Sequence, residues 1–190
     1  MVAFQPMEQP RQNPRKEHRL IERLSKGEYE IVRQVLASKT LSEDLSLAWA
    51  NMATDRLVLA QNHLAVANSI AEECRRGNWD PAGRSVISRA YYSMFCAVRA
   101  AVALEKYGDV NDHLKLPDVL RKTTALGPTD TREWVGDSLN RFRVARNDAD
   151  YSVHYPNPVE EDACSAVAAA EAILPICREW IETTRRLRCL

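Results

Sequence analysis

A continuous stripe of apolar side chains runs through residues 49–74, and no other feature constrains the fold of this chain as strongly. The side chains recur at steps of three and four, a spacing that places them on one face of an α-helix. The stripe consists of Trp49, Ala53, Leu57, Ala60, Leu64, Ala67, Ala71 and Cys74. Only six of the 190 residues are Gly, and no segment shows the period-two alternation typical of a half-buried strand. An all-α fold is therefore expected.

Local signals predict the ends of this long helix. Ser42 is followed by Glu43 and Asp44, and this combination is typical of a helix start. A serine side chain caps free backbone N–H groups, and acidic residues interact favourably with the N-terminal end of the helix dipole. Gly77-Asn78 is typical of a helix end, since both residue types tolerate the left-handed backbone conformation found there.

Further helices are predicted after residue 78. The second runs from about Pro81 to Tyr107 and is apolar on most sides, so we expect it to lie centrally. A short helix covers about His113 to Thr123, and a fourth starts near Asp130 and continues toward Tyr151. In the last helix Asn157 is the predicted cap and Pro158 the first helical residue.

The predicted architecture is an up-and-down bundle of four main helices with a short inserted helix and an N-terminal helical extension. Residues 1–16 are expected to be disordered because Pro, Gln and charged residues dominate them. Residues 17–40 carry apolar side chains at helical spacing and form the predicted extension. Residues 41–190 form the bundle, in which Pro175 is expected to kink the last helix.

The composition limits the possible functions. Lys and Arg together number 26, as do Asp and Glu, so any nucleic-acid-binding surface must be local. No secretory signal is recognisable, and no stretch approaches the roughly 20 apolar residues that cross a bilayer. A cytoplasmic protein without a membrane partner is therefore expected. The five Cys lack zinc-ligand spacing, so free thiols are expected.

One short stretch carries more polar groups than a core-facing helix needs. Residues 143–155 contain two Arg, two Asp, one Asn, two Tyr and one of the four His of the chain. On the second helix, Arg89 and Tyr92 lie three residues apart and therefore share a face. A buried Arg needs a partner, and we expect Asp150 or Tyr151 on the facing helix to provide it.

These two segments resemble the helices of a known family. Residues 88–97, with the sequence Ser-Arg-Ala-Tyr-Tyr-Ser-Met-Phe-Cys-Ala, resemble the second helix of HEPN domains. Residues 143–151 follow an Arg-x-x-Arg-x-x-Ala-Asp-Tyr pattern and resemble the fourth helix of small stand-alone HEPN proteins. The order of the helices matches as well, and the resemblance covers residues 42–186. The first forty residues do not contribute to it.

The resemblance implies two classes of function. Many HEPN proteins are metal-independent endoribonucleases that dimerise and cleave RNA with an Arg and a His separated by four to six residues. Many of these are toxins encoded beside a minimal nucleotidyltransferase antitoxin. Other HEPN proteins lack the Arg–His motif and bind a partner. On this resemblance we expect a homodimer, and Arg146, Asn147 and His154 as catalytic residues.

The chemistry suits these residue types, although their spacing departs from the family pattern. His accepts a proton near neutral pH, and Arg provides a fixed positive charge for a phosphorane-like transition state. Seven residues separate Arg146 from His154, which places them about 12 Å apart along a continuous helix. The two side chains can meet only if the helix ends near Tyr151 or if a second subunit supplies the His.

Two alternatives remain open. The protein is a non-catalytic HEPN module that binds a partner protein such as a nucleotidyltransferase, or it binds a nucleotide or another anionic ligand. The predicted ligand-binding residues are Arg89, Tyr92, Arg143, Asp150 and Tyr151. No metal site and no cofactor is expected. His113 is interpreted as a capping or packing residue, and His63 carries no functional signal.

Overall fold

The described part of the chain consists of α-helices joined by short loops, with no strand. The computed structural model describes residues 39–77, 79 and 82–188, and side chains from residue 45 onward. In chain order the helices are α1 (Lys39–Arg76), α2 (Ala82–Lys106), α3 (Lys115–Lys122), α4 (Thr129–Tyr151) and α5 (Val159–Leu187). Four long helices and a short inserted one confirm the predicted all-α bundle. The predictions for residues 1–16 and for most of the 17–40 extension lie outside the described residues.

Helix α2 lies at the centre of the bundle and packs against α1, α4 and α5. Its side chains are buried on several sides, as the nearly uniform apolar sequence predicts. The buried stripe of α1 faces it, with Trp49, Ala53 and Ala60 fully buried. The central position of α2 means that any polar group on it is surrounded by other helices, and this brings Tyr92 into contact with several elements at once.

Two predicted helix starts differ from the structure. Helix α1 is already helical at Lys39, so Ser42 lies inside it; no Gly or Pro interrupts residues 39–76, so the helix can extend beyond the predicted cap. At the start of α5 the cap is Pro158, without a side-chain hydrogen bond. The predicted cap, Asn157, instead donates to the Asp162 carboxylate at 3.0 Å.

The end of α4 lies where the sequence places it. The helix stops at Tyr151, and Ser152 adopts an extended backbone while its N–H donates to the Asp148 carbonyl at 3.0 Å. The Arg84 guanidinium of α2 then donates to the Ser152 carbonyl at 2.7 Å and to the Val153 carbonyl at 3.3 Å. The segment leaving α4 is therefore attached to the N-terminal half of α2.

The described helices and cysteines bear on membrane insertion and on disulfide formation. None of the described helices combines the length and the apolar character that a membrane crossing requires. Cys74, Cys96, Cys164 and Cys177 are free thiols, as their spacing predicts. Cys189 lies outside the described residues.

Candidate functional site

The Arg146 guanidinium is held in one orientation near the end of α4. Its Nη1 donates to Asn147 Oδ1 at 3.0 Å, its Nη2 donates to the Tyr92 hydroxyl, and its Nε lies 2.8 Å from Asp150 Oδ2. The side chain is 16% exposed. Because a guanidinium carries five N–H donors, these contacts still leave N–H groups for a ligand.

Aromatic rings and a carboxylate surround the same cation. The Arg146 guanidinium lies 5.0 Å from the ring centroid of Tyr92 and 5.6 Å from that of Tyr151. Burial acts to lower the pKa of Arg146, but Tyr92, Asp150 and Tyr151 outweigh it and raise the pKa above its ordinary value. Arg146 is therefore a permanent cation in a fixed position, which is the requirement for stabilising a phosphate or a developing negative charge.

Tyr92, which accepts from Arg146, also contacts His63 and His113, two histidines for which the sequence predicts no catalytic role. His63 of α1 stacks on the Tyr92 ring, with centroids 5.7 Å apart. His113, in the loop before α3, meets the same ring edge-on at 6.2 Å. We call Arg146, Tyr92, His63, His113 and Tyr91 the Arg146 cluster. It brings together α1, α2, α4 and the loop between α2 and α3.

His113 is the most firmly held of the histidines in this cluster. Its Nδ1 lies 2.6 Å from the Tyr91 hydroxyl, and its ring stacks on Phe95 with centroids 3.9 Å apart. Burial lowers the pKa of His113, and the positive charge of Arg146 lowers it further. Burial also raises the pKa of Tyr91. Near neutral pH the pair is therefore a neutral imidazole beside a neutral phenol.

His63 has a similar electrostatic environment but fewer polar contacts. It is half-buried, and burial together with the positive charge of Arg89 lowers its pKa. On α1 it lies beside the buried stripe, three residues from Ala60 and four from Ala67. The imidazole of His63 lies at the edge of the apolar face of α1, and this placement is the sequence signal that indicates a site residue here.

The predicted partner of Arg89 is wrong. Arg89 is exposed and makes no hydrogen bond or ion pair within residues 45–188 as described. Asp150 instead pairs with Arg146 one turn earlier on its own helix, and its carboxylate lies 3.5 Å from the Ser88 hydroxyl. Position 89 falls on the solvent side of α2, where water can solvate the guanidinium, so no buried partner is required.

Arg89 and Asp150 nevertheless line one small pocket. The pocket has a volume of about 290 Å³, and one of its lining residues, Asp150, is the ion-pair partner of Arg146. Arg84, Ser85, Ser88, Arg89, Ala149 and Asp150 line it. Two guanidinium groups and two hydroxyls offer donors to an anionic group, while the Asp150 carboxylate opposes one.

The remaining predicted site residues divide into two groups. Arg143 is half-buried, its Nε has no hydrogen-bond partner within the described residues, and its charge acts on both Tyr91 and His113. It therefore belongs to the same side of α4 as Arg146. His154 is exposed beyond the end of α4 and makes no hydrogen bond, ion pair or ring contact within that part of the chain. The structure brings His113 to Tyr92, whereas no contact brings His154 there.

Comparisons with known proteins identify the family. Residues 80–180 match the HEPN domain, a region that contains α2, α3 and α4 and most of α5. No curated protein and no solved structure matches the chain. The match spans more than half of the 190 residues and includes both segments that resemble the family. The chain belongs to the HEPN domain family.

Proposed function

We propose that this protein is a metal-independent endoribonuclease whose catalytic centre is built around Arg146. The observation that supports this most directly is the fixed, nearly buried guanidinium of Arg146, with half-buried histidines packed against its tyrosine partner. A preorganised cation beside neutral imidazoles suits phosphodiester cleavage by the ribose 2′-hydroxyl. Membership of the HEPN family supports the same reaction class.

Arg146 and Asn147 have distinct roles in this proposal. Arg146 binds the scissile phosphate and stabilises the negative charge that develops on its oxygens. The Asn147 side chain accepts from Arg146 at 3.0 Å and orients the guanidinium. Arg143 adds a second positive charge on the same side of α4.

A homodimer is part of the proposal, as the family resemblance implies. Large hydrophobic side chains lie exposed around the end of α4: Val144 is 50% exposed, Tyr151 75% and Val153 86%. Burial of such groups favours association. If two copies meet there, His154 of one subunit approaches the Arg146 cluster of the other. Size-exclusion chromatography with light scattering, comparing the wild type with Val153→Asp, tests for this dimer.

We further propose a toxin role with a nucleotidyltransferase partner, on the family resemblance alone. Expression of the chain should slow bacterial growth, and co-expression of a neighbouring small nucleotidyltransferase gene should restore it. Growth unaffected by the wild type and by Arg146→Ala alike would argue against a toxin.

A second candidate function is the binding of a nucleotide or another anionic ligand without cleavage. The pocket lined by Arg84, Ser88 and Arg89 favours it, because two guanidinium groups and a hydroxyl lie at its wall. Calorimetry with mono- and dinucleotides measures this binding directly. We expect Arg89→Ala to weaken it, whereas the absence of heat with the wild type would argue against the candidate.

The test of the ribonuclease proposal compares two arginines of α4. Purified wild type, Arg146→Ala and Arg141→Ala are incubated with RNA in the presence of a chelator. Arg141 is the matched control because it is 63% exposed and directed toward Asp162. We expect cleavage by the wild type and by Arg141→Ala, and a loss of about 100-fold or more in Arg146→Ala. Equal cleavage by all three proteins would contradict the proposal.

A further inference from the structure

We infer that His113 is the general base of the Arg146 cluster, an inference that rests on the proposed ribonuclease function. It assigns proton transfer to a residue of the α2–α3 loop and not to His154. His113 lies outside the Arg–His motif of the fourth helix, and geometry alone brings it to the site.

The imidazole of His113 is held on two sides. Its Nδ1 lies 2.6 Å from the hydroxyl of Tyr91, and its ring stacks on Phe95 at an interplanar angle of 20°. Both supporting side chains are buried, Tyr91 to 1% exposure and Phe95 to 5%. The ring is therefore oriented by the core, and only Nε2 remains for a substrate. A general base needs one nitrogen anchored and the other available.

His113 also lies close to the proposed phosphate-binding cation, Arg146. Tyr92 receives the hydrogen bond of Arg146 through its hydroxyl and meets the His113 ring with its own ring. Thus only the side chain of Tyr92 lies between His113, the proposed base, and Arg146, the proposed cation. Arg146 also acts electrostatically on His113, as expected for neighbouring groups.

The charges around the imidazole of His113 favour its neutral form. Arg146 and Arg143 face it from α4, Arg99 faces it from α2, and Asp112 precedes it in the loop. Burial is the largest influence on the pKa of His113, and burial and the three cations together outweigh Asp112 and lower it. The imidazole is therefore neutral at pH 7 and able to accept a proton.

The reaction step balances without a cofactor. In the proposed step His113 is the tautomer that carries its hydrogen on Nδ1, 2.6 Å from the Tyr91 hydroxyl, and this phenol stays neutral because burial raises its pKa. The Nε2 lone pair takes the proton of the ribose 2′-hydroxyl while the 2′-oxygen bonds to phosphorus. The bond from phosphorus to the 5′-oxygen breaks, and the 5′-oxygen takes a proton from water. The products are a 2′,3′-cyclic phosphate and a 5′-hydroxyl, and His113 returns its proton to solvent.

The other histidines of the described region fit this role less well. His154 is exposed and has no contact that would orient its ring. His63 stacks on Tyr92, but it makes no hydrogen bond within the described residues that would fix its tautomer. His113 alone among them has both a hydrogen bond and a stacking partner from the core.

The test measures kcat and KM for an oligoribonucleotide between pH 5 and pH 9. His113→Gln retains an amide that can still donate to Tyr91, and Asn111→Ala is an exposed control in the same loop. We expect His113→Gln to lower kcat by about 100-fold or more with little change in KM, and Asn111→Ala to behave as the wild type. Circular dichroism melting of each variant checks that it is folded.

The pH profile separates catalysis from a merely structural role. A base acts when it is deprotonated, so wild-type kcat/KM should fall only as the pH drops below the ordinary histidine value of about 6.5. This acid limb should disappear in His113→Gln. Tyr91→Phe, which removes the anchoring hydroxyl, should lower kcat less than His113→Gln does. Wild-type kcat in His113→Gln, or an unchanged acid limb, would overturn the inference.

A binding measurement distinguishes this inference from the proposed function. A 2′-O-methyl oligoribonucleotide cannot be cleaved, and ¹⁵N NMR follows the imidazole resonances as it is added. We expect the His113 resonance to shift in the wild type and not in Arg146→Ala. If the wild type cleaves RNA and His113→Gln does so equally well, only the inference fails. If the wild type neither cleaves RNA nor shows the shift, the inference and the proposed function both fail.

Discussion

Asp109, in the loop that follows α2, shows how much a single buried charge contributes in this bundle. Its carboxylate accepts from Arg56 of α1 at 2.9 and 3.0 Å and from Arg99 Nε at 2.7 Å. The side chains of Asp109 and Arg56 are each 8% exposed. One carboxylate thus binds two guanidinium groups and fixes the end of α2 to α1.

We predict that Asp109→Asn lowers the free energy of unfolding at pH 7 by about 3–5 kcal/mol, because it removes the negative charge from a buried ion pair. Chemical denaturation of both proteins measures this difference. Asp137→Asn is a control, since Asp137 is 74% exposed in its pair with Arg121, and it should cost less than about 1 kcal/mol. Equal costs for the two substitutions would contradict this account.

The same carboxylate predicts a pH dependence. Burial acts to raise the pKa of Asp109, but the hydrogen bond from Arg99 and the charge of Arg56 hold it below its ordinary value. A depressed folded-state pKa contributes stability above the unfolded value of about 3.9, and this stability is lost as the pH falls through the folded value. The stability difference between wild type and Asp109→Asn should therefore shrink below about pH 4. A difference that is constant from pH 7 to pH 3 would refute this.

Arg89 shows the limit of residue-by-residue prediction. Its place in an apolar segment suggested a buried charge with a carboxylate partner, but the segment has one solvent-facing side and Arg89 lies on it. The predicted partner assumes that every face of α2 is buried, whereas one face is open to solvent. In the structure it is Arg146, not Arg89, that contacts both Tyr92 and Asp150.

At the level of elements, the junction between α3 and α4 depends on close packing. Gly127 has a φ of +93°, and a Cβ on it would lie 2.7 Å from Trp180 Nε1 of α5. Arg132, which is 4% exposed, donates to the carbonyls of Gly127 at 2.5 Å and of Thr124 at 3.1 Å. The turn into α4 is thus held from both sides, and α4 carries Arg146.

We predict that Gly127→Ala destabilises the fold by about 1–3 kcal/mol, because a side chain at positive φ is strained and here also meets Trp180. Gly77→Ala is the matched control, since the nearest atom to its added Cβ is a backbone oxygen at 4.0 Å. It should change stability by less than about 0.5 kcal/mol. Thermal melting of the two variants beside the wild type measures both effects, and a Gly127→Ala variant as stable as the wild type would contradict the close packing.

The elements themselves were largely predictable. Helix ends followed Gly, Pro and the loss of apolar periodicity, so α2 and α4 were placed to within about two residues. The start of α1 was not predicted to this precision, because a serine such as Ser42 is compatible with both a cap and a helix interior.

At the scale of the whole molecule, the candidate site joins residues that are distant in sequence. His63 and Tyr92 lie 29 positions apart, and Tyr92 and Arg146 lie 54 apart. No local pattern links them, because their proximity depends on how α1, α2 and α4 pack. The sequence therefore indicates Arg146, Tyr92 and Asp150 as separate candidate residues, assigns no functional signal to His63 and favours a capping or packing role for His113.

The central claim is that the Arg146 cluster cleaves RNA through the ribose 2′-hydroxyl without a metal ion. The most direct measurement is the chemistry of the RNA ends produced by the purified wild type in a chelator, determined by mass spectrometry beside Arg146→Ala. The account predicts 2′,3′-cyclic phosphate and 5′-hydroxyl ends from the wild type and almost no product from Arg146→Ala. Ends carrying a 3′-hydroxyl and a 5′-phosphate, or the same products from both proteins, would contradict it.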